Sequence, residues 1–116
     1  MFTGLRTVVY PAPALTDAKD WWTGVLGKPP YYDSPHYVGF DAAGYELALD
    51  PSTDPAAGPI VYWGVQDAGK AYAELLARGA TGREEPHDVG DSIVVGTVVA
   101  PTGTIVGVIE NPHFAG

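Results

Sequence analysis

Apolar and polar positions along this chain alternate between two spacings. Arg6 to Tyr10 (R-T-V-V-Y) is a β-branched and aromatic run broken by Pro11 and Pro13, which predicts a strand. The spacing then changes. Ala18, Trp21, Trp22, Val25 and Leu26 recur three and four residues apart, which predicts a helix over 17–26 with one apolar stripe. Thr16 is the expected N-cap, with Asp17 and Asp20 near the positive helix end. Gly27 ends the helix and Pro29-Pro30 forbid its continuation. Three extended pieces follow, over 31–33, 36–40 and 45–49. The last two are joined by Asp41-Ala42-Ala43-Gly44 as a hairpin turn.

Residues 51–59 are rich in Pro, Ser, Asp, Ala and Gly and read as a linker. The pattern then restarts. Ile60 to Val65 is a strand, and Asp67 caps a helix whose stripe is Ala71, Tyr72, Leu75 and Leu76. Gly79 closes that helix. A weak extended piece over 82–87 precedes strong strands at 93–99 and 104–109, which are joined by Pro101-Thr102-Gly103. Each half has one strand before its helix and three after it, an internal repeat of about 50 residues. The expected fold is therefore α+β: a single domain of two βαβββ modules, over about 5–50 and about 60–110.

Composition narrows the chemistry. The 116 residues suit one domain, and 46% hydrophobic residues supply a core. Cysteine is absent, which rules out disulfides, thiolate metal sites and cysteine nucleophiles. Fourteen acidic residues against six basic give a net charge of −8, which repels nucleic-acid backbones and draws cations weakly at long range. No apolar run reaches the roughly 18 residues of a membrane span, and the N-terminus carries no secretory pattern, so a cytoplasmic protein without membrane or nucleic-acid partners is expected. There is no G-x-x-x-x-G-K-[ST], no G-x-G-x-x-G opening a helix and no G-x-S-x-G elbow, and no cofactor is expected.

Several segments together resemble the vicinal-oxygen-chelate superfamily of glyoxalases, bleomycin-resistance proteins and extradiol dioxygenases. They are the opening T-V-V-Y-P-A-P-A-L-T-D-A-K-D-W-W-T-G-V-L-G, the hairpin H-Y-V-G-F-D-A-A-G-Y-E-L-A-L-D, the run V-Q-D-A-G-K-A-Y-A-E-L-L-A-R-G-A and the ending A-P-T-G-T-I-V-G-V-I-E-N-P. The resemblance implies paired βαβββ modules whose mixed sheet curls around a cleft, and a homodimer. In the family's enzymes it also implies one divalent metal held by side chains such as His or Gln, Glu, His and Glu. Carried over residue by residue, those ligand positions fall on Thr7, Glu46, the neighbourhood of Ile60, and Gly107 or a neighbour of it. Only Glu46 is a good ligand, and a catalytic divalent ion normally takes three or more protein donors. No metal is expected. Glu110 lies three residues past the last position, and an odd offset turns a strand residue to the opposite face. His36, His87 and His113 have no ligand spacing.

Strand alternation then assigns the lining of the implied cleft. With Glu46 facing inward, Ala48 does too, while Tyr45, Leu47 and Leu49 face the helices. Phe40 is expected opposite Tyr45, Gly39 opposite Glu46 and Tyr37 on the inner face. Thr7 and Val9 line the cleft from the first strand, Ile60 and Tyr62 from the second module, and Gly107 from the last strand. Trp63 points away into the core, one of Trp21 and Trp22 is core, and Tyr31 and Tyr32 belong at the rim. These residues suit a small-molecule ligand. The leading reading is a binding protein without a catalytic metal that sequesters a planar or cationic compound. The alternatives are a metal-independent lyase or isomerase with Glu46 as base and a tyrosine at the oxyanion, and a metal-dependent glyoxalase or dioxygenase with other ligands.

Overall fold

A computed structural model describes residues 1–113. The chain folds as α+β with the expected repeat: β1 (Phe2–Pro11), α1 (Leu15–Leu26), β2 (Tyr32–Ser34), β3 (Tyr37–Ala42) and β4 (Tyr45–Asp50), then β5 (Ile60–Val65), α2 (Ala68–Ala77), β6 (Thr81–Asp88), β7 (Val94–Val99) and β8 (Ile105–Glu110). Both repeats use the same pairing. The first strand lies parallel to the last, and the other two follow antiparallel, giving β2-β3-β4-β1 and β6-β7-β8-β5. By contact density one compact unit is Thr7–Ile60, and the other joins Met1–Arg6 to the chain from Val61 onward, so the division falls inside β1. Among the described residues no helix is long and apolar enough to cross a membrane.

In the unit Thr7–Ile60, α1 lies on one face of its sheet. Ala12, Val38, Phe40 and Leu49 form the buried cluster, with Tyr10, Leu15, Ala18, Trp22, Leu26 and Leu47 packed against it. The stripe of α1 is therefore Leu15, Ala18, Trp22 and Leu26. Trp22 stacks on Tyr10 with ring centroids 5.6 Å apart, while Trp21 is 62% exposed. Burial of Leu15 draws the helix start ahead of Thr16. The N-cap is Ala14, without a side-chain cap bond, and Thr16 lies inside the first turn. Gly27 closes α1 in the left-handed conformation, as expected. In the linker, residues 55–57 wind into a 3₁₀ turn capped by the Asp54 side chain.

The hairpin differs from the expected register. Only Ala43 and Gly44 turn, both with positive φ, and the pair Ala42–Tyr45 closes the ladder. Asp41 thus stands opposite Glu46, and Gly39 opposite Ala48. The four-residue turn gave way because the Asp41 side chain accepts a bond from the Gly44 N–H at 2.9 Å while the Asp41 backbone stays in the strand. The slip is two residues, an even number, so every side chain keeps its expected face.

In the other unit Val65, Ala68, Ala71 and Val108 form the cluster under α2, joined by Leu75 and Val94. Asp67 caps α2 by accepting from the Lys70 N–H at 3.0 Å, and Gly79 follows the C-cap Arg78 with positive φ. β1 and β6 overrun their expected lengths the most. β1 begins at Phe2, whose ring stacks on Trp63 at 5.1 Å, and this half-buries Trp63 rather than sinking it fully into a core. β6 runs for eight residues with register shifts around Glu84, and Gly96 opposite lets its backbone approach closely. Polar β6 lacks strand alternation because those irregularities reset its faces.

The two helix starts make opposite predictions. Asp67→Ala should cost about 1 kcal/mol of stability through loss of the cap bond. Thr16→Ala should stay within about 0.5 kcal/mol, as for an exposed side chain that caps nothing. Denaturant midpoints of the two variants measure the difference.

Candidate functional site

Strand parity makes the site in the unit Thr7–Ile60. Leu47 and Leu49 turn to α1, so Glu46 and Ala48 turn to the opposite face of β4. Parallel pairing sets Thr7 beside Glu46 and Val9 beside Ala48. Antiparallel pairing sets Asp41 and Gly39 on their other side. The Thr7 hydroxyl, on a residue only 6% exposed, donates to Glu46 Oε1 at 2.9 Å. The Tyr37 hydroxyl donates to the same oxygen at 2.9 Å. Tyr31 donates its hydroxyl to Oε2. Three neutral hydroxyls thus take the place of water around one half-buried carboxylate. Tyr32 packs edge-on against Tyr37, with ring centroids 6.0 Å apart. Val9 and Ala48 are buried beside the carboxylate and supply an apolar floor.

The structure thereby brings together Thr7, Tyr37 and Glu46, with Val9 next to them. It also adds Tyr31, which the sequence suggested only as a rim residue. Two features hold Tyr31 there. Its backbone N–H donates to the Gly39 carbonyl at 3.0 Å, although Gly39 already stands opposite Tyr32, so the chain leaves the regular register just ahead of β2. Gly39 then leaves room for the ring: a Cβ at this position would lie 2.6 Å from Glu46 Oε2 and 3.1 Å from the Tyr31 ring. The signal available in the sequence was this glycine, set by strand parity on the same face as Glu46.

Ile60, Tyr62 and Gly107 stand apart from this cluster. Ile60 is buried at the start of β5. Tyr62 pairs with Gly107, and its ring fills the space of the missing side chain, within 2.5 Å of where a Cβ would stand. Beyond Gly107 on the same row lies buried Thr97, whose hydroxyl accepts from Arg83 at 3.2 Å. Arg83 also pairs with Glu84 at 2.9 Å. A separate depression of about 370 Å³ is lined by Thr3, Arg6, Gly64, Gln66, Glu110 and Asn111 among others, none of them shared with the Glu46 cluster.

The donor set does not fit a divalent metal. Its one carboxylate is already hydrogen-bonded at both oxygens, and its neighbours are hydroxyls. Among the described residues no three His, Asp or Glu side chains converge. Glu110 faces the helix, as parity required: its Oε1 accepts from the Ala68 N–H at the start of α2 at 2.9 Å. The His87 ring meets the Glu85 carbonyl and the His113 ring the Asp91 carbonyl, each at 2.9 Å.

The Tyr31 phenol is pushed well above the ordinary tyrosine range. Loss of hydration is the largest cause, followed by the bond to Glu46 and then by the negative charges of Glu46 and Asp41. The folded chain therefore holds this proton more tightly than the unfolded chain. Its stabilising contribution is complete below about pH 10 and is lost as the pH rises beyond that value. At about pH 11, where ordinary tyrosines ionise, Tyr31→Phe should leave the phenolate absorbance unchanged. Loss of one tyrosine's share would mean that Tyr31 titrates normally. Gly39→Ala should displace the ring, return that phenol to the ordinary range and cost about 1–3 kcal/mol, both readable from the same titration and a denaturant curve.

The chain matches no protein-family model and no curated protein sequence. Solved structures match it over most of its length. A methylmalonyl-CoA epimerase in complex with methylmalonyl-CoA and NH4+ shares 11% identity, covering 98% of this chain and 98% of that one, with a TM-score of 0.75. The methylmalonyl-CoA epimerase of Mycobacterium tuberculosis shares 17%, covering 93% and 87%, with a TM-score of 0.72. A glyoxalase/bleomycin resistance protein/dioxygenase superfamily member from Vibrio splendidus 12B01 shares 17%, covering 92% and 99%, with a TM-score of 0.68. At these identities the likeness is one of fold, and with its twice-used βαβββ unit the chain has the fold of the glyoxalase/bleomycin-resistance/dioxygenase superfamily.

Proposed function

We propose that this chain binds a small, planar, cationic molecule at Glu46 and its tyrosines without converting it. The observation that carries the reading is the state of Glu46. Its carboxylate is half-buried and held by three hydroxyls, and among the described residues it forms no salt bridge. Hydroxyls offset part of the lost hydration but none of the charge. A bound cation would complete the compensation, and tyrosine rings next to a carboxylate are suited to a flat positive group. The net charge of −8 adds weak long-range attraction of the same sign preference.

The competing chemistry is proton abstraction by Glu46, which the epimerases among the structural neighbours bring to mind. It would need Glu46 to give up hydrogen bonds before accepting a proton. It would also need an acid or base partner, and the Tyr31 phenol bonded to the carboxylate holds its proton more tightly than an ordinary tyrosine.

Calorimetric titration with benzamidine, a flat aromatic cation, tests the reading. Saturable binding is expected in wild type, weakened at least tenfold (about 1.4 kcal/mol) in Glu46→Gln. Equal affinity in both proteins would sink it. Turnover of a carbon acid, lost in Glu46→Gln, would install the base in its place.

A further inference from the structure

The three donors on Glu46 are not equivalent, and their differences name the oxygen a ligand addresses. Thr7 and Tyr37 both bond Oε1. Thr7 is buried and fixed by parallel pairing, strand against strand, in the register Thr7–Glu46. Tyr37 is half-buried within β3, and its ring is braced by Tyr32. Oε2 has Tyr31 alone. Tyr31 lies just ahead of β2, directly after Pro29-Pro30, and is 63% exposed. It is attached by one backbone bond to Gly39 and by its hydroxyl. Breaking the Thr7 bond requires rotation of a buried side chain, and breaking the Tyr37 bond requires a half-buried ring to turn against Tyr32. Rotating the Tyr31 side chain away requires only movement of an exposed ring over a residue that has no side chain.

We infer that Tyr31 is a displaceable stand-in for the ligand, and that the site selects cations carrying N–H donors, such as amidinium, guanidinium or primary ammonium groups, over quaternary ammonium ions. The inference rests on the proposed binding function and specifies its ligand class. An N–H donor replaces the phenol on Oε2 while Thr7 and Tyr37 continue to hold Oε1. A quaternary ammonium ion has no hydrogen to give, so displacing Tyr31 would leave Oε2 with a bare charge contact in place of a hydrogen bond. The phenol competes with the ligand, and the free protein pays for that competition in affinity.

The test is a comparison of benzamidine with phenyltrimethylammonium, which keeps the ring and charge but lacks N–H groups. Wild type should bind benzamidine more tightly. Tyr31→Phe, which retains the ring and deletes the competing hydroxyl, should bind benzamidine about tenfold more tightly still and keep the preference for benzamidine over phenyltrimethylammonium. Thr7→Val, which strips a donor from Oε1, should give no such gain. Tyr31→Leu provides a second hydroxyl-free variant should Tyr31→Phe fold poorly, judged by its thermal midpoint. If both probes bind but loss of the hydroxyl leaves benzamidine affinity equal or lower, the stand-in role is overturned and the cation site survives. If neither probe binds any of these proteins, the cation site and the role of Tyr31 fall together.

Discussion

A strand can present only every second side chain to a given face, and the cluster around Glu46 depends on that constraint in β4. Leu47 and Leu49 are committed to the packing beneath α1, which fixes Glu46 and Ala48 on the other side. Parallel pairing with β1 then delivers a hydroxyl at Thr7, and antiparallel pairing with β3 delivers space at Gly39. Remove the apolar pull of α1 and nothing would oblige the carboxylate to sit among hydroxyls. The hydrophobic stripe of the helix is in this sense the first determinant of the polar site.

Much of this was legible in the sequence because period and parity are local properties. The two βαβββ units followed from alternating runs and capping residues. The shared strand face of Thr7, Val9, Tyr37 and Glu46 followed from counting twos, and a hairpin register two residues off preserves that parity. What escaped the reading depends on tertiary packing. Leu15 joined α1 because it had a core to reach, and Phe2 extended β1 because Trp63 offered a ring to cover. Tyr31 could not be placed from periodicity, since it precedes the strand whose alternation would have located it. Only the bond to Gly39 and the gap above that glycine set its position.

The electrostatics follow from the same ladder. Asp41 stands directly opposite Glu46, two like charges across one pair of strands, an arrangement that costs stability unless a positive charge or solvent intervenes. Asp41 is exposed and uses one oxygen to hold the Gly44 N–H in the turn. The tightness of the hairpin and the negative field beside Glu46 therefore come from one side chain. The same field helps keep the Tyr31 proton in place.

The pairing of Tyr62 with Gly107 shows how a duplicated architecture becomes asymmetric. On one row of each sheet, the first repeat sets Thr7 beside a carboxylate and the second sets a tyrosine beside a residue with no side chain. The second repeat fills its own gap with that ring, permanently and within the chain. The first leaves a half-buried carboxylate covered by hydroxyls from β1, from β3 and from the residue ahead of β2. Sequence drift should therefore be constrained unequally in the two halves. Enlarging residue 107 would collide with an internal neighbour and be felt as misfolding, whereas altering residue 31 would take one hydroxyl from Glu46 and leave the paired strands in place.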